Sequence, residues 1–240
     1  TNSFPANVMA EVKSVPLEVV ESDLHNRVDL RSRTVVTIDG ETARDFDDAV
    51  CIEKTAAGYR LWVSIADVSH YVKEGSAIDA EAYERSTSVY FPDRAIPMLP
   101  EALSNGICSL NAKVDRLTMT AEIDFDNDGR PTKKSFYESV IKSAERMTYT
   151  NVKKLIDGDD AAIKSQYSHI LADIKLMAEL AKKLTARRFE QGSIDFDLPE
   201  PQIIIDIKGK VEDIVRSERN EAHKLIEEFM LSANRAVAEE

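Results

Sequence analysis

Ten residues, Asp39-Gly-Glu-Thr-Ala-Arg-Asp45-Phe-Asp47-Asp48, follow directly on the apolar run Val35-Val36-Thr37-Ile38. Four aspartates so close together repel when folded side by side, at about 4 kcal/mol for one pair 4 Å apart at an effective dielectric near 20. A divalent cation relieves that repulsion. Hard cations such as Mg2+ take oxygen ligands and bind through one or two carboxylates together with substrate phosphates, so the segment points to phosphoryl chemistry. The plain alternative is a solvated acidic turn, as most charge runs are. Against it, Ala49-Val50-Cys51-Ile52 follows at once, which places the aspartates between two strand-like stretches. Loops held between rigid strands are where catalytic groups usually lie.

A second acidic stretch, Asp124-Phe-Asp126-Asn-Asp128-Gly129, begins like a calcium-binding EF-hand loop, but Ser135 stands where the closing glutamate belongs and Pro131 interrupts it. Its Asn127-Asp128-Gly129 tip, flanked by alternating residues over 117–125 and 135–141, predicts a hairpin instead.

The elements that must carry these residues follow from local pattern. Strands are expected at about 34–38, 49–54 and 59–66, then the hairpin of 117–141 and a second one turning at Lys208-Gly209. Ser76-Ala-Ile-Asp79 reads as a capping box opening a short helix. Residues 92–111, with Pro92, Pro97 and Pro100, read as mostly irregular. A long helix near 161–190 would turn Ile170, Ile174, Met177, Ala181 and Leu184 inward, and a closing helix from about 219 would bury Ala222, Ile226, Phe229, Ala233 and Val237. Hairpins followed by helices predict an α+β fold with a mostly antiparallel sheet and packed helices. The acidic lead-in to about Asn26 shows no core pattern and reads as a linker.

At 240 residues and 43% hydrophobic content the chain can bury a sizeable core. No apolar run approaches the roughly 20 residues of a membrane helix, and no signal-peptide pattern is visible. Cys51 and Cys108, with no C-x-x-C, fit buried thiols in a reducing cytoplasm, and the four histidines form no ligand pair. A formal charge of −12 argues against a polyanionic partner, yet residues 129–154 are net +5. That stretch carries Arg130, Lys133, Lys134, Lys142, Arg146, Lys153 and Lys154, and a second basic group holds Lys182, Lys183, Arg187 and Arg188. Either group is a candidate for phosphate contacts or an ordinary solvated face.

The acidic signature Thr37-Ile-Asp-Gly-Glu-Thr-Ala-Arg-Asp-Phe-Asp-Asp-Ala-Val50 resembles the catalytic (RNB) domain of the ribonuclease II / ribonuclease R family, most closely its ribonuclease R branch. The resemblance continues in order through Val63-Ser-Ile-Ala-Asp-Val-Ser-His-Tyr-Val72, Ser86-Thr-Ser-Val-Tyr-Phe-Pro92, Ile96-Pro-Met-Leu-Pro100, Leu103-Ser-Asn-Gly-Ile-Cys-Ser-Leu110, Gly192-Ser-Ile-Asp-Phe196 and 218–228. Thr42 departs from it, where relatives commonly carry another aspartate, and the four ligand positions are intact.

The resemblance implies processive, Mg2+-dependent hydrolysis of RNA from its 3' end, releasing nucleoside 5'-monophosphates. It implies one or two Mg2+ ions, with Mn2+ as a substitute, on Asp39, Asp45, Asp47 and Asp48, the first and last holding the principal ion. It also assigns Tyr90 and Phe196 to clamping the terminal nucleotides, and Tyr149 and Glu227 to the neighbourhood of the 2'-hydroxyl, the group that separates RNA from DNA. From the residues alone these aromatics read as core. Residues 28–240 would then be the N-terminal portion of the domain, preceded by a linker over 1–27 from an upstream RNA-binding module. Relatives carry a further half-domain with a Ser-Pro-Ile-Arg-Arg motif, and flanking cold-shock and S1 modules, none of which is in this sequence. Two alternatives stay open: a metal- and RNA-binding piece silent by itself, and a structural domain whose acidic loop binds no metal.

Overall fold

The computed structural model describes residues 3–92, 94–194, 201–205, 211–216 and 219–240. In chain order the first elements are α1 (Ala6–Val12), β1 (Val28–Asp29), β2 (Val36–Asp39), β3 (Asp48–Lys54), β4 (Gly58–Ala66), α2 (Val68–Tyr71) and α3 (Ala77–Arg85). Then come β5 (Val89–Tyr90), β6 (Ala95–Ile96), the long strands β7 (Asp115–Asp126) and β8 (Pro131–Lys142), and β9 (Glu145–Thr148). Helices α4 (Tyr149–Asp157), α5 (Ala161–Gln166) and α6 (Leu171–Glu190), strands β10 (Pro201–Ile205) and β11 (Val211–Arg216), and helix α7 (Glu221–Ala238) complete the chain.

The main sheet has the order β1-β8-β7-β4-β3-β2-β9. Its four inner pairings are antiparallel, whereas β1 joins β8 and β9 joins β2 in parallel. The expected α+β class with a mostly antiparallel sheet is borne out.

Both faces of the central strands are covered, which is why β3 reads as an unbroken apolar run although its side chains alternate. Val50 and Ile52 join Val36, Ile38, Leu61, Val63, Ile123 and Phe125 against buried residues of α4, α6 and α7. Ala49 and Cys51 point the other way, into a smaller cluster with Leu30, Val35, Phe46, Trp62, Leu110 and Ile141. Cys51 and Cys108 are both buried and unbridged.

Several local expectations are corrected. The lead-in is not a coreless linker. Val8 and Val12 of α1 are buried with Ile78, Leu99, Leu103 and Ile107, and Glu11 Oε2 accepts from the amides of Ala77 (2.7 Å) and Ile78 (3.3 Å) at the start of α3. Two inward residues on a seven-residue helix are too few to show a period. The long helix is broken: α5 ends at Gln166, α6 begins at Leu171, and Tyr167 and Ile170 are buried in the break. Val237 is 56% exposed, unlike its four expected partners on α7. At α3, Ser76 accepts from the Asp79 amide (3.1 Å), but the Asp79 carboxylate takes the Gly75 amide instead of closing the box. The irregular 92–111 stretch contains β6 and one wide π-type turn, Ala102–Ile107. Strands β10 and β11 form the second hairpin, whose Lys208-Gly209 turn lies outside the described residues.

The β3–β4 turn admits only glycine at its last position. Gly58 has φ +154°, and a Cβ there would sit 2.2 Å from the Phe125 carbonyl oxygen on the neighbouring strand. Gly58→Ala should therefore lower unfolding free energy by about 2–3 kcal/mol or more, read as a reduced midpoint in urea denaturation. An unchanged midpoint would mean that β7 need not approach the turn so closely.

Candidate active site

The acidic residues meet because three strands end together. Asp39 is the last residue of β2 and Asp48 the first of its antiparallel neighbour β3, so both stand at one end of the sheet. Parallel pairing of β9 sets Thr148 beside Asp39 and delivers Tyr149, the first residue of α4, to the same edge. Thr148 caps that helix by accepting from the Asn151 amide at 3.1 Å.

The loop between Asp39 and Asp48 is pinned from below. Phe46 is buried in the smaller core cluster, which turns its neighbours Asp45 and Asp47 outward. Its carbonyl accepts from the Leu110 amide, and that of Asp47 from the Ala66 amide, both at 2.9 Å. On the other flank the Arg146 guanidinium donates to the carbonyls of Gly40 (2.6 Å) and Glu41 (2.9 Å).

Burial and then crowding make Asp39, Asp47 and Asp48 weak acids. Burial, followed by the charges of Asp48 and Asp47, pushes Asp39 up to about 7 against the opposing pull of Arg146. Asp48 rises to about 6 through burial and then Asp47. Desolvation in the crowded pocket and then Asp45 raise Asp47, although part of its own surface is open to solvent. Asp39 Oδ2 is buried and has no hydrogen-bond partner. An unpaired, desolvated carboxylate oxygen facing like charges suits a cation better than any neutral neighbour. Among the described residues no three His, Cys, Asp or Glu side chains form a ready cage for an ion. Mg2+ does not need one, since it keeps waters and shares its ligands with substrate phosphates.

Two of the expected nucleic-acid contacts border this pocket. Tyr90 is 66% exposed, and its hydroxyl donates to Asp45 Oδ2 at 2.5 Å, so its ring stands free at the rim. Tyr149 is half-buried and its phenol is pushed up to about 12 by burial and the charges of Asp39 and Asp48. It stacks on His223 with centroids 3.9 Å apart and planes 20° from parallel, a partner that sequence spacing did not suggest. Glu227, one turn along α7, pairs instead with Arg219 and, at 3.9 Å, Arg188. Phe196 lies outside the described residues.

The basic groups are largely occupied with the protein's own acids. Lys142 pairs with Asp115, Lys153 with Asp157, Lys154 with Asp160 and Lys182 with Glu221. Lys183 donates to the Asn127 carbonyl at 2.6 Å, and Arg188 pairs with the buried Glu228 at 2.8 Å. Arg146 is the member that matters to the acidic loop, and its run of basic neighbours concealed it.

Fold and site thus define an α+β domain with an acidic pocket at one end of its sheet. The RNB domain matches residues 27–240, and the chain belongs to that family. It is 50% identical over 238 residues to ribonuclease R of Thermotoga maritima, covering 98% of this chain and 33% of the relative. It is 47% identical over 237 residues to ribonuclease R of Aquifex aeolicus, covering 98% and 34%. The chain therefore spans about a third of the length of the curated relatives it matches. Among solved structures, Mycoplasma genitalium RNase R in complex with ribose-methylated single-stranded RNA superposes with a TM-score of 0.89 at 32% identity, over 98% of this chain and 37% of that one. No helix among the described residues is long and apolar enough to cross a membrane.

Asp39 and Asp48 hold protons more tightly folded than at the ordinary carboxyl value of 3.8. Their contribution to stability is thus complete below about pH 4 and is lost as pH climbs through about 6 and 7. In divalent-free buffer the melting temperature should fall between pH 5 and pH 8, and Asp39→Asn should remove about 1–3 kcal/mol of that fall. Equal pH dependence in parent and variant would show that Asp39 ionises without penalty.

Proposed function

We propose that the protein containing this chain is a 3'-to-5' exoribonuclease that hydrolyses RNA to nucleoside 5'-monophosphates with Mg2+. The observation that carries the reading is the placement of Asp39 and Asp48 at neighbouring strand ends, near enough to Asp45 and Asp47 for their charges to act on one another, with an unpaired buried oxygen on Asp39. Family membership and the ribonuclease R relatives support it.

In this reading Asp39 and Asp48 hold the principal ion, while Asp45 and Asp47 complete the pocket and orient the attacking water and the 3' end. One or two Mg2+ ions, or Mn2+ in their place, would be held by these carboxylates and would supply positive charge to the scissile phosphate and the leaving 3' oxygen. No serine, cysteine or histidine nucleophile is required. The exposed ring of Tyr90 offers a stacking platform worth roughly 1–3 kcal/mol per base and indifferent to sequence. Its hydroxyl is tied to Asp45, which couples the platform to the acidic loop. Phe196 is assigned to the same clamp, and Tyr149 and Glu227 to the ribose 2'-hydroxyl. Cold-shock and S1 modules in the intact protein would hold the RNA upstream, and the cytoplasm is its expected compartment.

Asp47→Asn in the intact protein should slow release of nucleoside monophosphates from a 3'-overhang RNA by at least about 100-fold, the scale of losing one transition-state charge contact. RNA affinity, measured in EDTA, should stay within a few-fold, because backbone and stacking contacts supply it. Parental turnover in this variant would refute the assignment.

A further inference from the structure

Asp45 sits between two backbone groups that are satisfied by a single buried side chain. Ser109 is fully buried, and its hydroxyl donates to the Arg44 carbonyl at 2.9 Å while accepting from the Phe46 amide at 3.0 Å. Both peptides flanking Asp45 are therefore fixed by one oxygen atom 63 residues away in sequence from Phe46. The Ser109 backbone is itself held. The buried Arg116 guanidinium of β7 donates to the Ser109 carbonyl at 2.7 Å through Nε and to the Gly106 carbonyl at 3.1 Å through Nη2. Gly106 leaves helical geometry within the 102–107 turn, and its carbonyl also accepts the Ser109 amide at 3.2 Å. Beyond Ser109, the Leu110 amide donates to the Phe46 carbonyl at 2.9 Å, so the two segments are joined on three consecutive peptides.

We propose that Ser109, braced by Arg116, is a positioning residue for the acidic loop: it sets where Asp45 and Asp47 stand without touching RNA or cation. The proposal rests on the nuclease reading above. It requires the hydroxyl and not merely a small residue, because alanine would leave the buried Phe46 amide unpaired and release the Arg44 carbonyl on the other side of Asp45. The rigid frame elsewhere would keep the domain folded, since Phe46 and the strand ends remain packed. A loop displaced by even about 1 Å loses rate on the order of 100-fold when it carries the reacting geometry, with little loss of substrate binding.

The test compares Ser109→Ala, Ser109→Thr and the parent in the intact protein, using a labelled 3'-overhang RNA with Mg2+, together with hydrogen exchange at the Phe46 amide. Expected for Ser109→Ala is a kcat lowered about 10- to 100-fold, with KM and RNA affinity in EDTA within about 2-fold. Ser109→Thr, which keeps the hydroxyl, should recover most of the loss. Exchange at Phe46 should be slow in the parent and clearly faster in the alanine variant. An unchanged kcat in Ser109→Ala, a parallel loss in KM and affinity that threonine does not repair, or equal Phe46 exchange in parent and variant would overturn the proposal. A parent that fails to hydrolyse RNA with Mg2+ defeats the functional reading instead. The exchange measurement then still decides whether Ser109 fixes the loop.

Discussion

Mutual repulsion among four carboxylates at one end of a sheet is the constraint around which the rest of this domain is arranged. Left to themselves, Asp39, Asp45, Asp47 and Asp48 would spread into water, and a flexible acidic loop would do so readily. Here the endpoints cannot move, because Asp39 belongs to β2 and Asp48 to β3. The intervening loop cannot swing out either, because Phe46 is locked in apolar packing between two outward-facing aspartates. Burial first, and then the neighbouring aspartate charges, push the carboxyls up to about 7 at Asp39 and about 6 at Asp48. Core burial and sheet hydrogen bonding, which are indifferent to the chemistry of the site, hold charge where it is unfavourable, and the proposed cation would relieve it.

The supporting contacts come from distant parts of the chain. Strand β9 returns after more than a hundred residues to pair with β2 and carries Arg146, Thr148 and Tyr149 to the pocket. Arg146 braces the front of the loop through two carbonyls and sets an opposing charge against Asp39. Helix α7 presses His223 flat against Tyr149, fixing a ring whose phenol feels the charges of Asp39 and Asp48. Tyr90 reaches Asp45 from the short β5–β6 ribbon. Each support lies on a different element, so the pocket's shape reports on the integrity of the whole domain.

The central strands, the long β7–β8 hairpin and the inward face of α6 were legible because each imprints a local period or turn signal on contiguous residues. The aspartates were legible for the same reason, being adjacent in sequence and bounded by strands. What escaped were features made by residues far apart. The parallel β9–β2 pairing has no local signature, and the Ser109 and Arg116 ties join groups 63 residues apart in one case and seven in the other through single atoms. Helix α1 buries too few side chains to establish a period. The break before α6 is made by tertiary burial of Tyr167 and Ile170, and no proline or glycine marks it. The pairing of Glu227 with Arg219 and Arg188 likewise has no local signature, since Arg188 lies on a different helix.

The central proposal is that the desolvated, crowded carboxylates at the sheet end take up a divalent cation. It is tested most directly by titrating Mg2+ into the metal-stripped intact protein at pH 8 and following thermal unfolding, alongside the double variant Asp39→Asn, Asp48→Asn. A saturable rise in melting temperature is expected for the parent, equivalent to about 2.7 kcal/mol when Mg2+ reaches 100 times its dissociation constant. The double variant should melt higher without Mg2+ and respond little to it. No saturable rise in the parent, or an equal rise in the variant, would contradict the account.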